Sequence, residues 1–216
     1  MKTVAVVLSG CGVFDGSEIH EAVSTLLALD LAGAQYECFA PNVIQSQVVN
    51  HLTQAVKSEP RNALEEAARI ARGKIKDIKE ASVAELDAAI FPGGMGAALT
   101  LSDYASMGAD MTINEDVLRF ATEMKNAGKP QGFICISPML IAKIYGKDVE
   151  LTIGNDATAA ENVVKMGGKH VVCTVGQIAV DNNHKVVSTP AYMLANRISE
   201  VFTGVSELVK AVLCFC

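Results

Sequence analysis

The sequence predicts a doubly wound α/β domain built on a mostly parallel sheet. Short apolar, β-branched runs alternate with longer segments of helical spacing along the whole chain. Glycine or proline ends these runs, as at Gly33, Pro41, Gly73, Pro92-Gly93-Gly94 and Gly128. The 216 residues are 50% apolar and 19% charged, which suits one substantial core and excludes a disordered chain.

In chain order, residues 4–9 are a β-branched run, read as a buried strand. Residues 17–32 place Ile19, Val23, Leu26, Leu27 and Leu31 at near-helical spacing, and Gly33 closes that helix. A second strand over 36–40 stops at Pro41-Asn42. Residues 42–60 are polar and irregular, and Pro60 marks a restart. An Ala- and Glu-rich helix is expected over 62–71, then a short extra strand over 75–78. A third parallel strand over 88–91 ends abruptly at Pro92-Gly93-Gly94. Residues 95–111 read as loop, and 114–127 as a helix closed by Gly128. Residues 131–134 are a strand that runs into Cys135, and 138–144 a helix entered straight from it. A helix over 161–166, short strands at 171–172, 178–180 and 186–188, and a long closing helix over 192–213 complete the chain. The last two strands make an antiparallel edge hairpin through Asp181-Asn182-Asn183. One domain over 1–216 is expected, with an elaboration around 42–85.

The net charge is −6, without runs of Lys or Arg, so neither nucleic acid nor an anionic membrane is an expected partner. The apolar run at 4–8 is too short for a signal core or a membrane span, and Cys216 ends the chain without a prenylation box. The six cysteines have irregular spacing with no CxxC. Reduced thiols and a cytoplasmic location are expected.

In a doubly wound fold, ligands bind beyond the carboxyl ends of the strands. The strongest signal there is Gly132-Phe133-Ile134-Cys135-Ile136-Ser137-Pro138, a strand running into a thiol and then a helix. This is the layout of a nucleophile elbow. A helix N-terminus there is expected to lower the thiol pKa and present N–H groups to an oxyanion. The other reading is a structural cysteine at a strand end. Gly93 and Gly94 follow a strand and either form half of an oxyanion hole or serve a tight turn. Gly10, Gly12 and Gly16 imitate a dinucleotide fingerprint, but the second strand ends at Ala40-Pro41-Asn42 without the acid that holds a ribose. Glu18 and Glu21, three apart, are expected on one face of the first helical turn. One is a candidate general acid/base; first-turn carboxylates also simply complement the helix dipole. His20, between them, faces elsewhere. No histidine has metal-ligand spacing and no phosphate loop is present, so no metal and no cofactor are expected.

Together, the segments 9–22, 61–62, 71–75, 91–94, 135–138 and 189–193 resemble the ElbB/ES1-type proteins of the PfpI-like branch of the class I glutamine amidotransferase-like superfamily. The resemblance covers nearly the whole chain. It implies a flavodoxin-like three-layer sandwich and a homodimer. It implies Cys135 as the nucleophile and Glu21 as the carboxylate bonded to it, with Glu18 as second choice. Gly94 and the N–H of Ile136 take the oxyanion positions, with Gly93 and Gly12 nearby and His20 and Cys11 as further candidates.

The sequence departs from protease and amidotransferase cousins at residue 136, where Ile stands in place of His, and in having no His near 189–191. Amide hydrolysis needs an acid for the leaving nitrogen, so peptidase or glutaminase activity is not expected. The resemblance implies instead a glyoxalase, taking glyoxal or methylglyoxal to glycolate or lactate through a Cys135 hemithioacetal. The rival is a non-enzymatic protein with an oxidisable Cys135, a redox sensor or a regulator tied to isoprenoid metabolism.

Overall fold

A computed structural model describes all residues, 1–216. The chain runs β1 (Thr3–Val7), α1 (Ile19–Leu31), β2 (Gln35–Ala40), β3 (Val48–Val49), β4 (Val56–Lys57), α2 (Ala63–Ile70), β5 (Ile75–Asp77) and β6 (Ala88–Phe91). It continues through α3 (Met95–Leu99), α4 (Tyr104–Met107), α5 (Glu115–Asn126), β7 (Gln131–Ile134), α6 (Met139–Tyr145), β8 (Glu150–Leu151) and α7 (Ala157–Lys165). It closes with β9 (Lys169–His170), β10 (Ala179–Asp181), β11 (Val186–Thr189) and α8 (Ile198–Cys214).

The main sheet has the order β10-β11-β7-β6-β1-β2-β5, and only β10 runs antiparallel to its neighbour. Successive residues of each strand face opposite layers, so the sheet needs two cores. Val4, Val6, Ala88, Ile90 and Ile134 pack with Ala22 and Leu29 of α1, Ala67 of α2 and Val201 to Val212 of α8. Ala5, Val7, Ala89, Phe91 and Phe133 pack with Phe120 and Met124 of α5, α6 and Val163 of α7. Phe91 and Phe133, fully buried on adjacent strands, stack with centroids 4.7 Å apart. Gly132 is the place where α8 presses on the sheet: a Cβ there would lie 2.8 Å from Leu208.

The expected flavodoxin-like sandwich, with its edge hairpin, is what the chain forms. Particular elements differ. Residues 95–111 are not loop but three single helical turns, α3, α4 and a 3₁₀ turn at Gly108–Asp110, each too short to show a period. The strand expected at 171–172 lies instead at 169–170, where it pairs with β8, an element the sequence hid in two residues. Helix α7 starts four residues earlier than expected because Asp156 caps it, accepting the Ala159 N–H at 2.6 Å. Ile78 leaves β5 for a 3₁₀ turn capped by Asp77. The closing helix does not begin at 192. Ala191 sits at φ 42°, a 3₁₀ turn covers Ala191–Met193, and Glu200 collects the N–H groups of Asn196 and Arg197 to start α8 at Ile198. The stretch 42–85 adds the β3–β4 hairpin, α2 on one layer and β5 on the sheet edge.

The crossovers from β1 to β2 and from β6 to β7 leave on opposite sides of the β1–β6 pair, which makes the carboxyl end of that pair the topological switch point. The ends of β1, β6, β7 and β11 all meet there.

Candidate active site

The centre of the switch point is an elbow. After β7, Cys135 takes φ 62°, a left-handed conformation that a non-glycine residue holds only when its surroundings impose it. Three bonds impose it. The Cys135 N–H donates to the Thr189 carbonyl at 2.9 Å. The buried Ser137 hydroxyl accepts the Ile134 N–H at 2.8 Å and donates to the Phe91 carbonyl at 2.6 Å. The elbow is thereby tied to β11 and β6. Only 8% of the Cys135 surface is exposed.

Glu21, in the first turn of α1, is fully buried against this thiol and hydrogen-bonded to it. Its Oε2 accepts the Gly93 N–H at 3.0 Å and its Oε1 the Tyr192 N–H at 3.2 Å. Gly93 lies between the two side chains. A Cβ on it would strike the Cys135 Cβ and lie 2.6 Å from Glu21 Oε2. Glycine is therefore the residue that allows the carboxyl and the thiol to meet. Gly94, at φ 96°, and Ile136 turn their N–H groups on the sulfur.

Burial pushes the Glu21 carboxyl up to about 8, with the neighbouring charge of Glu18 adding to it and the Tyr192, Cys135 and Gly93 hydrogen bonds opposing it. Burial also pushes the Cys135 thiol up, as does the Glu21 charge, while the N–H groups of Gly94 and Ile136 pull it down. The expected lowering by a helix N-terminus is overturned. Desolvation dominates at a nearly closed site, and α6 begins only at Met139, after the turn.

The remaining candidates fall in different places. Glu18 does not share a helix face with Glu21. It is the cap residue before α1, and its Oε2 accepts the Glu21 N–H at 2.7 Å. Its influence on the site is through charge. The Gly93 N–H is already taken by Glu21, so it is not a free oxyanion donor. Gly12 donates its N–H to the Ser17 carbonyl at 2.8 Å and lies beneath His51, whose ring a Cβ there would strike. Cys11 sits in a different charged environment, among Glu66, Arg69 and Asp15, and burial raises its thiol. His20 is exposed and reaches the Tyr192 hydroxyl at 2.7 Å from Nδ1. No three His, Cys, Asp or Glu side chains converge on a metal position.

Two residues that matter to this geometry were not singled out from the sequence. Ser137 stands two places after the thiol, and its brace role has no sequence signature beyond the elbow itself. Tyr192 belongs to the 189–193 motif, but its contact with Glu21 is made by a backbone N–H, which every residue type but proline carries.

Fold and site define a class I glutamine amidotransferase-like domain, with a cysteine elbow facing a buried glutamate. The chain is 46% identical to human glutamine amidotransferase-like class 1 domain-containing protein 3, mitochondrial, over 97% of this chain and 82% of the human one. A crystallised Ehrlichia chaffeensis isoprenoid biosynthesis protein with an amidotransferase-like domain is 36% identical, with a TM-score of 0.92 over 100% of this chain and 99% of that one. A Candida albicans glyoxalase III shares the fold at a TM-score of 0.66 and 11% identity, over 99% of this chain and 96% of its own. No protein-family model matches the chain. This chain belongs to the ElbB/ES1 family of class I glutamine amidotransferase-like proteins.

The raised Glu21 carboxyl has a consequence for stability. Between about 4.5 and about 8 the folded protein keeps a proton that the unfolded chain has lost. Stability conferred by the neutral form is therefore present at low pH and falls as pH rises through that window. The stability of the native protein relative to Glu21→Gln is expected to fall by up to about 1.4 kcal/mol per pH unit between pH 5 and 8, measured by urea denaturation.

Proposed function

We propose that Cys135 and Glu21 form a cofactor-independent glyoxalase centre that converts glyoxal to glycolate and methylglyoxal to lactate. The observation that carries this reading is the buried thiol hydrogen-bonded to a carboxyl whose pKa is raised to about 8, with two N–H groups on the sulfur. With 8% of its surface exposed, Cys135 admits only a small electrophile. The Candida fold neighbour carries the name glyoxalase III.

The steps follow from the groups present. Ionised Glu21 takes the thiol proton, and the sulfur adds to the aldehyde carbon. The N–H groups of Gly94 and Ile136 hold the oxygen that becomes negative, and Glu21 then hands it the thiol proton, which completes the hemithioacetal and leaves Glu21 ionised again. Glu21 next removes the hydrogen on that carbon and returns it to the neighbouring one through an enediol, leaving a thioester on Cys135. Water adds to the thioester, the carbon–sulfur bond breaks, the sulfur regains a proton, and the hydroxy acid leaves. Redox balance is internal, because the aldehyde carbon is oxidised as its neighbour is reduced. Amide hydrolysis fits less well, since Ile136 occupies the position directly after the thiol.

The sensor reading asks for a partly exposed thiol of lowered pKa. Cys135 is nearly closed off and has the Glu21 carboxyl beside it as a base, which a nucleophile uses and a sensor does not need, so the enzyme reading is the stronger one. The compartment proposed is a reducing one, the cytoplasm, in keeping with six free cysteines; the human relative is named mitochondrial. No helix is long and apolar enough to cross a membrane.

A homodimer is part of the same proposal. On α1, Ile19, Val23, Leu27 and Leu31 recur every fourth residue and are 42–70% exposed, an apolar ridge about 18 Å long. It borders a cleft of about 550 Å³ lined by Leu31, Phe202 and Val209. A two-fold axis would set this ridge against its own copy, apolar on both sides.

Incubation with methylglyoxal, free of metal and glutathione, is expected to yield lactate with saturation kinetics, and Cys135→Ser is expected to abolish it. Folded native protein that yields no acid above buffer would remove the glyoxalase reading. Leu27→Glu is expected to halve the mass seen by sedimentation equilibrium; a native protein already monomeric at micromolar concentration would remove the dimer.

A further inference from the structure

One residue grips two consecutive positions of α1. After β11, Pro190 and the left-handed, buried Ala191 turn the chain so that the Tyr192 N–H meets Glu21 Oε1 at 3.2 Å. The phenol of the same residue crosses to the preceding residue, and its hydroxyl lies 2.7 Å from His20 Nδ1. The rings are 5.8 Å apart and tilted by 45°. A second left-handed non-glycine residue, Cys135, is tied by its N–H to the Thr189 carbonyl, so the two turns sit side by side at the ends of β7 and β11. Backbone held in such conformations at adjacent strand ends marks a constrained site. The segment's backbone orders Glu21, which any residue but proline at 192 could do. The hydroxyl–imidazole pair is not needed for that, and His20 is exposed to solvent.

The reaction proposed above leaves one group unserved. A 1,2-dicarbonyl has two oxygens. The oxygen on the attacked carbon has the N–H groups of Gly94 and Ile136. The oxygen on the neighbouring carbon must gain a proton when the enediol forms, and neither Glu21, busy with the carbon-bound hydrogen, nor the two N–H groups supplies it. The geometry points to the Tyr192 hydroxyl, backed by His20, as the acid that binds and protonates this second oxygen, and so as the feature that selects 1,2-dicarbonyl compounds over simple aldehydes. This rests on the glyoxalase reading of Cys135.

The proton count closes. The phenol proton passes to the enediolate oxygen, and the phenol oxygen regains a proton from water by way of the exposed His20 imidazole. When the enediol collapses, the hydroxyl proton on the sulfur-bearing carbon leaves to water, and Glu21 delivers its proton to the neighbouring carbon. Burial, with the charges of Glu18 and Glu21, raises the Tyr192 phenol, so the hydroxyl keeps its proton until an anionic oxygen draws on it.

Tyr192→Phe removes only the hydroxyl and keeps both the ring and the N–H that Glu21 needs. With methylglyoxal, kcat is expected to fall about 100-fold or more, with iodoacetamide labelling of Cys135 unchanged within about twofold. A purely structural loss would change the labelling rate as well. His20→Gln, at an exposed position that does not threaten folding, is expected to lower kcat about 10-fold with the same unchanged labelling. Native-like turnover in both variants, while the native protein is active, would overturn this assignment alone. An inactive native protein would overturn it together with the glyoxalase reading on which it rests.

Discussion

The structure at the switch point depends on placing a carboxyl against a thiol where water hardly reaches either. Glu21 and Cys135 belong to different elements, the first turn of α1 and the elbow after β7, and they meet across a residue without a side chain, Gly93. Its N–H and that of Tyr192 hold the two carboxyl oxygens, and those of Gly94 and Ile136 face the sulfur. Four backbone donors therefore surround a pair that carries no full positive charge among its partners. A buried site solvated by fixed N–H dipoles in place of water can take one negative charge and move it between carboxyl and sulfur as a proton passes.

The fold serves this pair from four strand ends. β1 leads through the Ser9–Ser17 contact to the cap of α1. β6 ends in the glycines, β7 in the elbow, and β11 in the Pro190-Ala191 turn that delivers Tyr192. The Ser137 hydroxyl ties β7 to β6, and the Cys135 N–H ties it to β11. Movement of any one strand end would disturb a hydrogen bond to the thiol or to the carboxyl. The two stacked phenylalanines directly beneath, Phe91 and Phe133, hold β6 and β7 in register.

Much of this was legible in the sequence, for physical reasons that differ by element. A strand that passes into Cys135 and then a Pro-initiated helix announces an elbow, because few other uses of the chain require so abrupt a turn. Pro92-Gly93-Gly94 announces a tight turn but not that Gly93 makes room for two side chains of other elements. Spacing could not separate Glu18 from Glu21. The difference depends on whether the helix starts at 18 or 19, a boundary fixed by the Glu18 side chain bonding to the Glu21 N–H. Family resemblance, not periodicity, favoured Glu21. Gly12 and Cys11 looked like site residues because they follow β1, yet Gly12 lies under His51 and Cys11 beside Glu66 and Arg69 of α2; of that loop it is Val13 and Gly16 that touch the glycine turn, accepting the Met95 and Gly96 N–H groups. Tyr192 read as the first residue of one long helix, and a left-handed Ala191 is not a feature that composition reveals.

The central claim is that Glu21 and Cys135 titrate as one buried pair. The direct measurement is the rate of iodoacetamide labelling of Cys135 against pH, followed by mass spectrometry, in the native protein and in Glu21→Gln. Glu21 ionising at about 8 gives the pair the charge that can pass to sulfur, so the native profile is predicted to rise through an inflection near pH 8 that is absent from the variant. The same inflection in both proteins would mean that the thiol titrates without reference to Glu21, and would contradict the account.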